Sequence, residues 1–241
     1  MDTELQLLAD EARERSMTYT FLARALADEE IPLSFLESLR TMELQTGTEL
    51  DEFARGLAEL DAAGLEQQRS ELAADHAASL LGMSVDPVSP YESVHTSEKH
   101  LMMQEARDKV VAAYRAQGFA ASKDRRTPED HVSLELSFMA ALCDRLADAL
   151  ESQASTDAQG QVQGQHEAGH EAGSEEGVEL SEQAAALIEA QASFLRDHLA
   201  IWTPGFCDEL EAHGVTPFYR GVAQMLRAYL TDETAYLAEL V

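Results

Sequence analysis

Hydrophobic residues recur every three or four positions along most of the chain, and polar or acidic residues fill the positions between them. This spacing places apolar side chains on one face of an α-helix, as in helices that pack around a shared core. Alternating runs of strand length are missing, and β-branched residues are few beside Ala, Leu, Glu and Gln. The pattern predicts an all-α protein, folded as a single-domain helical bundle of about ten helices.

Prolines and capping residues divide the first third of the chain into separate predicted helices. The first is expected over residues 3–27, Pro32 and Thr48 begin two shorter helices, and a fourth spans residues 65–81. Gly82 follows this fourth helix, and its freedom to adopt a positive φ angle predicts that the helix ends there.

The next stretch, residues 83–95, is predicted to be an ordered loop. Two prolines within it hold the residues that precede them in extended conformations, so no regular helix is expected to pass through. A helix should start at Thr96 or Ser97, with Leu101 and Met102 facing the core.

A mostly polar connector, residues 119–127, separates an N-terminal part, residues 1–118, from a C-terminal part, residues 128–241. We interpret this connector as a hinge between the two parts of one domain. Because a hinge can let helices exchange between two copies, the chain is expected to be a monomer or a helix-swapped homodimer.

The C-terminal part opens on the motif Thr-Pro-Glu-Asp-His at residues 127–131, which specifies the start of a helix. Thr127 can cap the helix, Pro128 suits its first position, and the two acidic residues favour the positive end of the helix dipole. Glu135 lies one turn beyond His131 on the same face, so a polar pair is expected at the start of an apolar helix. His131 is expected near solvent, because it lies in the first turn.

Composition changes sharply over residues 151–179, which contain no Lys, Arg, Phe, Tyr or Trp and are rich in Gln, Gly, Ala, Ser and Glu. Such a segment buries too little apolar area to offset the entropy of ordering, so a disordered insert is predicted. Folding should resume near Leu180 with a helix that reaches Trp202, followed by helices led by Pro204 and Pro217.

The chain contains 45 acidic and 17 basic residues, which give a formal net charge of -28. This charge repels nucleic acid and anionic membrane surfaces, so neither is expected as a partner, and a basic partner is favoured. Stable membrane insertion is not expected, because no window approaches the ~18 consecutive apolar residues of a membrane span. Two distant cysteines and an acidic N-terminus without a signal-peptide core predict a cytoplasmic protein.

Familiar motifs for a catalytic nucleophile, a phosphate loop or a zinc site are missing, so neither enzyme activity nor a cofactor is expected. One pattern supports an alternative: three Asp-His pairs, at residues 75–76, 130–131 and 197–198, fall on predicted helices. Carboxylates and imidazoles that project into a helical bundle form di-iron sites, so a metal-binding or redox protein is one alternative. Adjacent residues point about 100° apart on a helix, which weighs against shared coordination. A structural helical adaptor is the other alternative.

Taken together, several segments resemble the TorD/DmsD family of redox-enzyme maturation chaperones. The family's Glu-Pro-x-Asp-His hinge motif is similar to residues 127–131, and its Pro-aromatic-x-Ser loop is similar to Pro-Tyr-Glu-Ser at residues 90–93. Its His-Leu-x-x-Trp-x-x-x-Phe element resembles residues 198–206, and its Phe-Tyr helix start resembles residues 217–219. Thr127 stands where the family pattern has Glu, a departure that bears on which peptide is bound.

The resemblance implies a chaperone that binds the twin-arginine signal peptide and apo form of a molybdopterin-containing oxidoreductase catalytic subunit, assists cofactor insertion and prevents premature export. A signal peptide offers a basic stretch followed by an apolar helix, so its receptor needs carboxylates beside an apolar groove. The candidate binding residues are Glu129, Asp130, His131, Glu135, Leu80, Leu81, Val85, Pro90, Tyr91 and Ser93. We expect exposed carboxylates among them to make the binding weaken as salt increases.

Overall fold

The computed structural model describes residues 2–27, 30–119, 127–164 and 179–241, which form helices joined by loops. These residues contain ten α-helices, namely α1 (Asp2–Ala25), α2 (Leu33–Leu39), α3 (Glu49–Ala58), α4 (Ala62–Ser79), α5 (Glu92–Thr96), α6 (Glu105–Ala116), α7 (Val132–Gly164), α8 (Glu182–Phe194), α9 (Ala200–His213) and α10 (Pro217–Leu240). A π-helical turn, Leu195–Leu199, joins α8 to α9. The described residues form no β-strand, so the predicted all-α fold is confirmed.

The core is built around α1 and α7, which pack side by side. Helix α8 covers α7, while α9 and α3 lie against α10. Phe138 of α7 is almost completely buried, and its ring centroid lies 4.7 Å from those of Tyr114 and Phe194 and 5.3 Å from that of Phe119. This aromatic cluster connects α6, α7 and α8 beneath the predicted hinge motif.

A buried ion pair joins the first helix to the last. Arg15 donates hydrogen bonds to the Glu233 carboxylate at 2.7–3.0 Å, and Tyr19 Oη donates to the same carboxylate at 2.9 Å. Arg15 also donates to Gln191 Oε1 of α8 at 2.7 Å. A buried ion pair is tolerated when its groups are hydrogen-bonded in this way, because unpaired buried charges are costly.

Helix α10 approaches α3 at a point where only glycine fits. A β-carbon at Gly221 would lie 2.3 Å from the backbone nitrogen of Leu50, a separation at which the backbones must move apart. The start of α3 is also capped as predicted, because the Thr48 side chain accepts a hydrogen bond from Leu50 N at 3.2 Å.

The segment after α4 differs from its prediction. A short helix, α5, lies within the predicted loop, and α6 begins at Glu105 rather than near Thr96. Leu101 and Met102 are exposed, so the prediction that they face the core is wrong. The reason is a distant contact, because Asp130 accepts a hydrogen bond from the Ser93 backbone and thereby holds the start of α5. Local hydrophobic spacing carries no information about such a contact.

Helix α7 is longer than the hydrophobic pattern predicts. It continues to Gly164, so the disorder predicted for residues 151–179 is wrong over the part that α7 includes. Ala, Gln and Glu favour helix, and extending an existing helix is easier than starting one. The Gln153 side chain also donates to Glu179 O at 2.7 Å and accepts from Ser181 N at 2.9 Å, which ties α7 to the start of α8.

Two predicted features fall partly outside the described residues. These are the hinge over residues 120–126 and the remainder of the insert over residues 165–178. Phe119, at the start of the predicted hinge, packs back on Tyr114 with ring centroids 5.0 Å apart. Within the described ranges, none of the helices combines the length and the apolar character needed to cross a bilayer.

Pro204 lies inside α9 rather than at the start of a new helix, so the predicted break is wrong. Phe194 and Leu199 both have right-handed helical backbone angles, so α8, the π-helical turn and α9 are continuous, and Pro204 lies one turn beyond the π-helical turn. A proline inside a helix removes one backbone hydrogen bond. The Thr203 hydroxyl donates to Leu199 O at 2.8 Å and supplies a further bond at this junction.

Candidate functional site

The Pro-Tyr-Glu-Ser loop and the Thr-Pro-Glu-Asp-His motif meet in the structure. Tyr91 and His131 form an isolated antiparallel β-bridge, and their rings pack edge to face with centroids 5.0 Å apart. Two backbone hydrogen bonds flank the bridge, from Glu92 N to Asp130 O at 3.0 Å and from Val132 N to Pro90 O at 2.8 Å. The N-terminal and C-terminal parts of the chain are therefore joined at the predicted site.

Asp130 anchors the start of α5. Its Oδ2 atom accepts a hydrogen bond from Ser93 N at 3.0 Å, and Ser93 Oγ accepts one from Gln104 N at 3.1 Å. The other carboxylate oxygen, Oδ1, is buried and has no hydrogen-bond partner among the described residues. Because Asp130 is completely buried, the expectation that it is an exposed attraction point for a basic peptide is wrong.

A second carboxylate, Glu92, connects α5 to the π-helical turn. His198 Nδ1 lies 2.9 Å from Glu92 Oε2 and 3.2 Å from Oε1, and both side chains are buried. A π-helical turn has a different residue spacing from an α-helix and is frequently found at functional sites. Here it carries the histidine that contacts the loop.

Glu135 lies next to this pair, at the centre of the buried cluster. Trp202 Nε1 donates a hydrogen bond to Glu135 Oε2 at 3.1 Å, whereas Oε1 has no partner among the described residues. Burial and the nearby negative charge of Glu92 raise the pKa of Glu135 well above its usual value, and the Trp202 bond opposes this only in part. A protonated Glu135 carboxyl supplies a hydrogen-bond donor within a cluster rich in acceptors.

His131 is buried, so the prediction that it lies near solvent is wrong. The bridge to Tyr91 covers it, and its Nδ1 atom accepts a hydrogen bond from Ser133 N at 3.2 Å while lying 2.9 Å from Ser133 Oγ. Glu129 is only partly buried and accepts a hydrogen bond from Arg107 Nε at 2.7 Å. Burial alone would raise the pKa of Glu129, but the Arg107 bond lowers it below its usual value.

The predicted apolar residues divide into a buried group and an exposed tip. Leu80 is buried, whereas Leu81 is exposed and Val85 has 95% of its surface exposed. Met83, which is not among the predicted binding residues, is exposed between them. We call residues 81–85 the apolar tip. Gly82, with a φ angle of 74°, ends α4 as predicted and allows the chain to turn into this tip.

The structure brings most of the predicted residues together and adds others. The predicted residues in or beside the buried cluster are Pro90, Tyr91, Ser93, Asp130, His131 and Glu135. Glu92, His198 and Trp202 complete the cluster, although they are not among the predicted binding residues. One signal was available, because His198 and Trp202 are four residues apart and therefore lie on one helical face.

The three Asp-His pairs do not converge. Asp75 accepts hydrogen bonds from the backbone of Val215 and Thr216, Asp197 pairs with Arg196, and Asp130 holds α5. No group of three or more His, Cys, Asp or Glu side chains suited to a metal ion occurs in the part of the chain that the structure describes. The described geometry gives the metal hypothesis no support.

Comparison with known proteins assigns these motifs to a family. The sequence model of the nitrate reductase delta subunit family matches residues 45–208, which is more than half of the chain. The chain belongs to this family. The matched stretch includes the apolar tip, both motifs and Trp202, so the whole buried cluster lies within it.

Several proteins with a similar sequence carry the name Chaperone protein TorD. The protein from Vibrio cholerae serotype O1 (strain ATCC 39315 / El Tor Inaba N16961) is 25% identical over 173 residues, which are 70% of this chain and 64% of that relative. The protein from Photobacterium profundum is 25% identical over 173 residues, 71% of this chain and 66% of the relative.

A third relative is matched over a longer stretch. The TorD protein of Vibrio parahaemolyticus serotype O3:K6 (strain RIMD 2210633) is 24% identical over 220 residues, 84% of this chain and 89% of the relative. The chain thus spans slightly less than two thirds of the first two relatives and most of the third. The resemblance to the TorD/DmsD family is confirmed.

Proposed function

We propose that this chain is a cytoplasmic chaperone, without enzymatic activity or a cofactor of its own, for the catalytic subunit of a molybdopterin-containing oxidoreductase. It binds the twin-arginine signal peptide and the apo form of that subunit, assists cofactor insertion and prevents premature export. Family membership and the name of the TorD relatives support this proposal. The observation that carries it is the pairing of the loop with the hinge motif. The exposed apolar tip precedes this loop in the chain.

The carboxylates and the apolar side chains of the site have different roles because they are buried to different extents. The carboxylates of Glu92, Asp130 and Glu135 are buried, so they hold the loop in place and do not contact a peptide directly. Exposed apolar side chains in the tip provide area that a peptide can cover. The basic stretch of the peptide is attracted by the net charge of -28 on the chain as a whole.

Calorimetric titration with a synthetic twin-arginine signal peptide tests the proposal. The affinity should fall between low and high salt, because exposed charges are screened beyond ~10 Å at 0.1 M ionic strength. A salt-insensitive part should remain, because burial of apolar area does not depend on screening. The matched peptides are a variant with Lys in place of both arginines and a variant with scrambled charges.

Substitutions in the apolar tip test its role directly. We expect Val85→Asp and Met83→Asp each to weaken binding roughly tenfold or more, because each places a charge where an apolar contact is needed. Leu7→Asp is the matched control, since Leu7 has 58% of its surface exposed and lies on α1, whereas the tip follows α4. If all peptides bind alike, and the tip variants match the control, the chain is an adaptor with an unspecific acidic surface and the proposal fails.

A further inference from the structure

A groove runs along α1, with α2 on one side and α7 on the other. It contains a cavity of about 420 Å³ beside α2 and a second of about 260 Å³ beside the first turns of α7. Thr20, Arg24 and Asp144 line both cavities, so the two are halves of one groove.

The groove is mainly apolar near α2. The rings of Phe21 and Phe35 stack there with centroids 5.5 Å apart, and the Arg24 guanidinium lies over Phe35, 5.6 Å from the ring centroid. Met17 and Met42 line the same cavity and have 70% and 47% of their surfaces exposed. Methionine side chains are flexible, so a rim of this kind adapts to apolar partners of different shape.

The length of the groove fits a short helix. Its lining residues extend from Ser16 to Ala27 along α1 and just past its end, and from Ser133 to Asp144 along α7. Each wall therefore covers about three helical turns, or about 16 Å at 1.5 Å per residue. The apolar core of a signal peptide has roughly 7 to 15 residues, which as a helix matches this length.

One end of the groove reaches the candidate site. Ser133 lines the second cavity, and its Oγ atom lies 2.9 Å from His131 Nδ1 in the hinge motif. The second cavity therefore lies next to the hinge motif in the fold.

We propose that this groove receives the apolar segment of the client's signal peptide as a helix. This inference rests on the proposed function and names the surface that binds that segment. The groove is lined by one basic and one acidic side chain, Arg24 and Asp144, which suits an uncharged helix. A second copy of the chain is a poor occupant, because two surfaces of net charge -28 repel each other.

Two peptides distinguish binding in the groove from binding elsewhere on the chain. One is the complete twin-arginine signal peptide, and the other ends after the basic stretch and lacks the apolar segment. Met17→Asp and Met42→Asp should each weaken binding of the complete peptide at least roughly tenfold and leave binding of the short peptide unchanged. Leu7→Asp, on the same helix as Met17 but outside the groove, should change neither. Circular dichroism of all three variants distinguishes a loss of binding from a loss of fold.

A photo-crosslinker in the middle of the apolar segment provides an independent measurement. Peptide mapping of the wild-type complex should find the crosslink on α1, α2 or α7 at residues that line the groove. If the groove variants bind the complete peptide like Leu7→Asp while Val85→Asp weakens it, the groove inference fails and the proposed function stands. Crosslinks confined to other surfaces would also overturn the inference. If wild type binds neither peptide, both fail.

Discussion

Neighbouring carboxylates in the hinge motif have different roles because they are buried to different extents. Glu129 is partly exposed and paired with Arg107, whereas Asp130 and Glu135 have no exposed surface. The sequence shows three acids near one helix start, and it gives no sign of which of them reach solvent. Their surroundings come from α5 and α9, which are far away in the sequence.

The Glu135→Gln variant should be more stable than wild type, and the difference should increase as pH rises above the usual pKa of a glutamate. Burial and the charge of Glu92 raise the pKa of Glu135 above its unfolded value, so its contribution to stability is present at low pH and is lost as pH rises through the folded pKa. Glutamine keeps an acceptor for Trp202 and does not ionise. Urea unfolding at several pH values measures the difference.

Glu49→Gln serves as a control, because its effect on stability should change with pH in the opposite direction. The hydrogen bond from Arg220 lowers the pKa of Glu49, so the stability that Glu49 contributes is present at neutral pH and is lost as pH falls. This variant should be less stable than wild type at neutral pH, and the gap should close in acid. A Glu135→Gln variant that is less stable than wild type at every pH would show that the carboxylate is needed in its charged form.

Phe138→Ala should lower the free energy of unfolding by ~3 to 5 kcal/mol, because it removes the centre of the aromatic cluster. His131→Ala should cost ~1 to 3 kcal/mol, since it loses its contact with Tyr91 and leaves the Ser133 amide without its acceptor. Urea unfolding of both variants at one pH gives the comparison. A larger loss for His131→Ala would mean that the bridge contributes more to stability than the core aromatics do.

At the scale of helices, local signals set most starts and ends, and distant contacts set the exceptions. Thr48 caps α3, Pro217 begins α10 and Gly82 ends α4, as the sequence predicts. The start of α5 depends on Asp130, and the π-helical turn carries His198 to Glu92. Both depend on partners that lie tens of residues away, so the hydrophobic period alone does not predict them.

Gly221→Ala should destabilise the protein by ~1 to 3 kcal/mol or more, because the added methyl group forces α10 away from the Leu50 backbone. Gly56→Ala on α3 is the matched control, since a β-carbon there would have no neighbour within 4 Å. In that open position alanine should stabilise the helix by ~0.5 to 1 kcal/mol. Thermal melting of both variants measures the contrast, and equal effects would show that the helices can separate freely.

At the scale of the molecule, the sequence predicts the components of the candidate site better than their arrangement. The loop, the hinge motif and the His198 element were each recognisable as motifs, yet their meeting around Glu135 is a property of the bundle. The apolar tip was only partly identified, because exposure of Met83 depends on how the loop turns after Gly82. Tertiary packing decides both features.

The melting temperature should rise as sodium chloride is raised from ~0.01 M to ~0.15 M, because the Debye length shortens from ~30 Å to ~8 Å and screens repulsion within a chain of charge -28. The surface ion pairs are weakened by the same salt, but exposed pairs contribute little individually. Calorimetric scans at constant pH measure the change. A melting temperature that falls with salt would mean that the ion pairs outweigh the repulsion.

The bond between Arg15 and Glu233 has a consequence for how the protein is made. Synthesis proceeds from the N-terminus, so α1 leaves the ribosome long before the residue that neutralises its buried guanidinium has been translated. A contact of this sequence separation also carries a large loop-closure cost, which delays it further. The newly made first helix therefore cannot complete this buried ion pair until α10 has emerged from the ribosome.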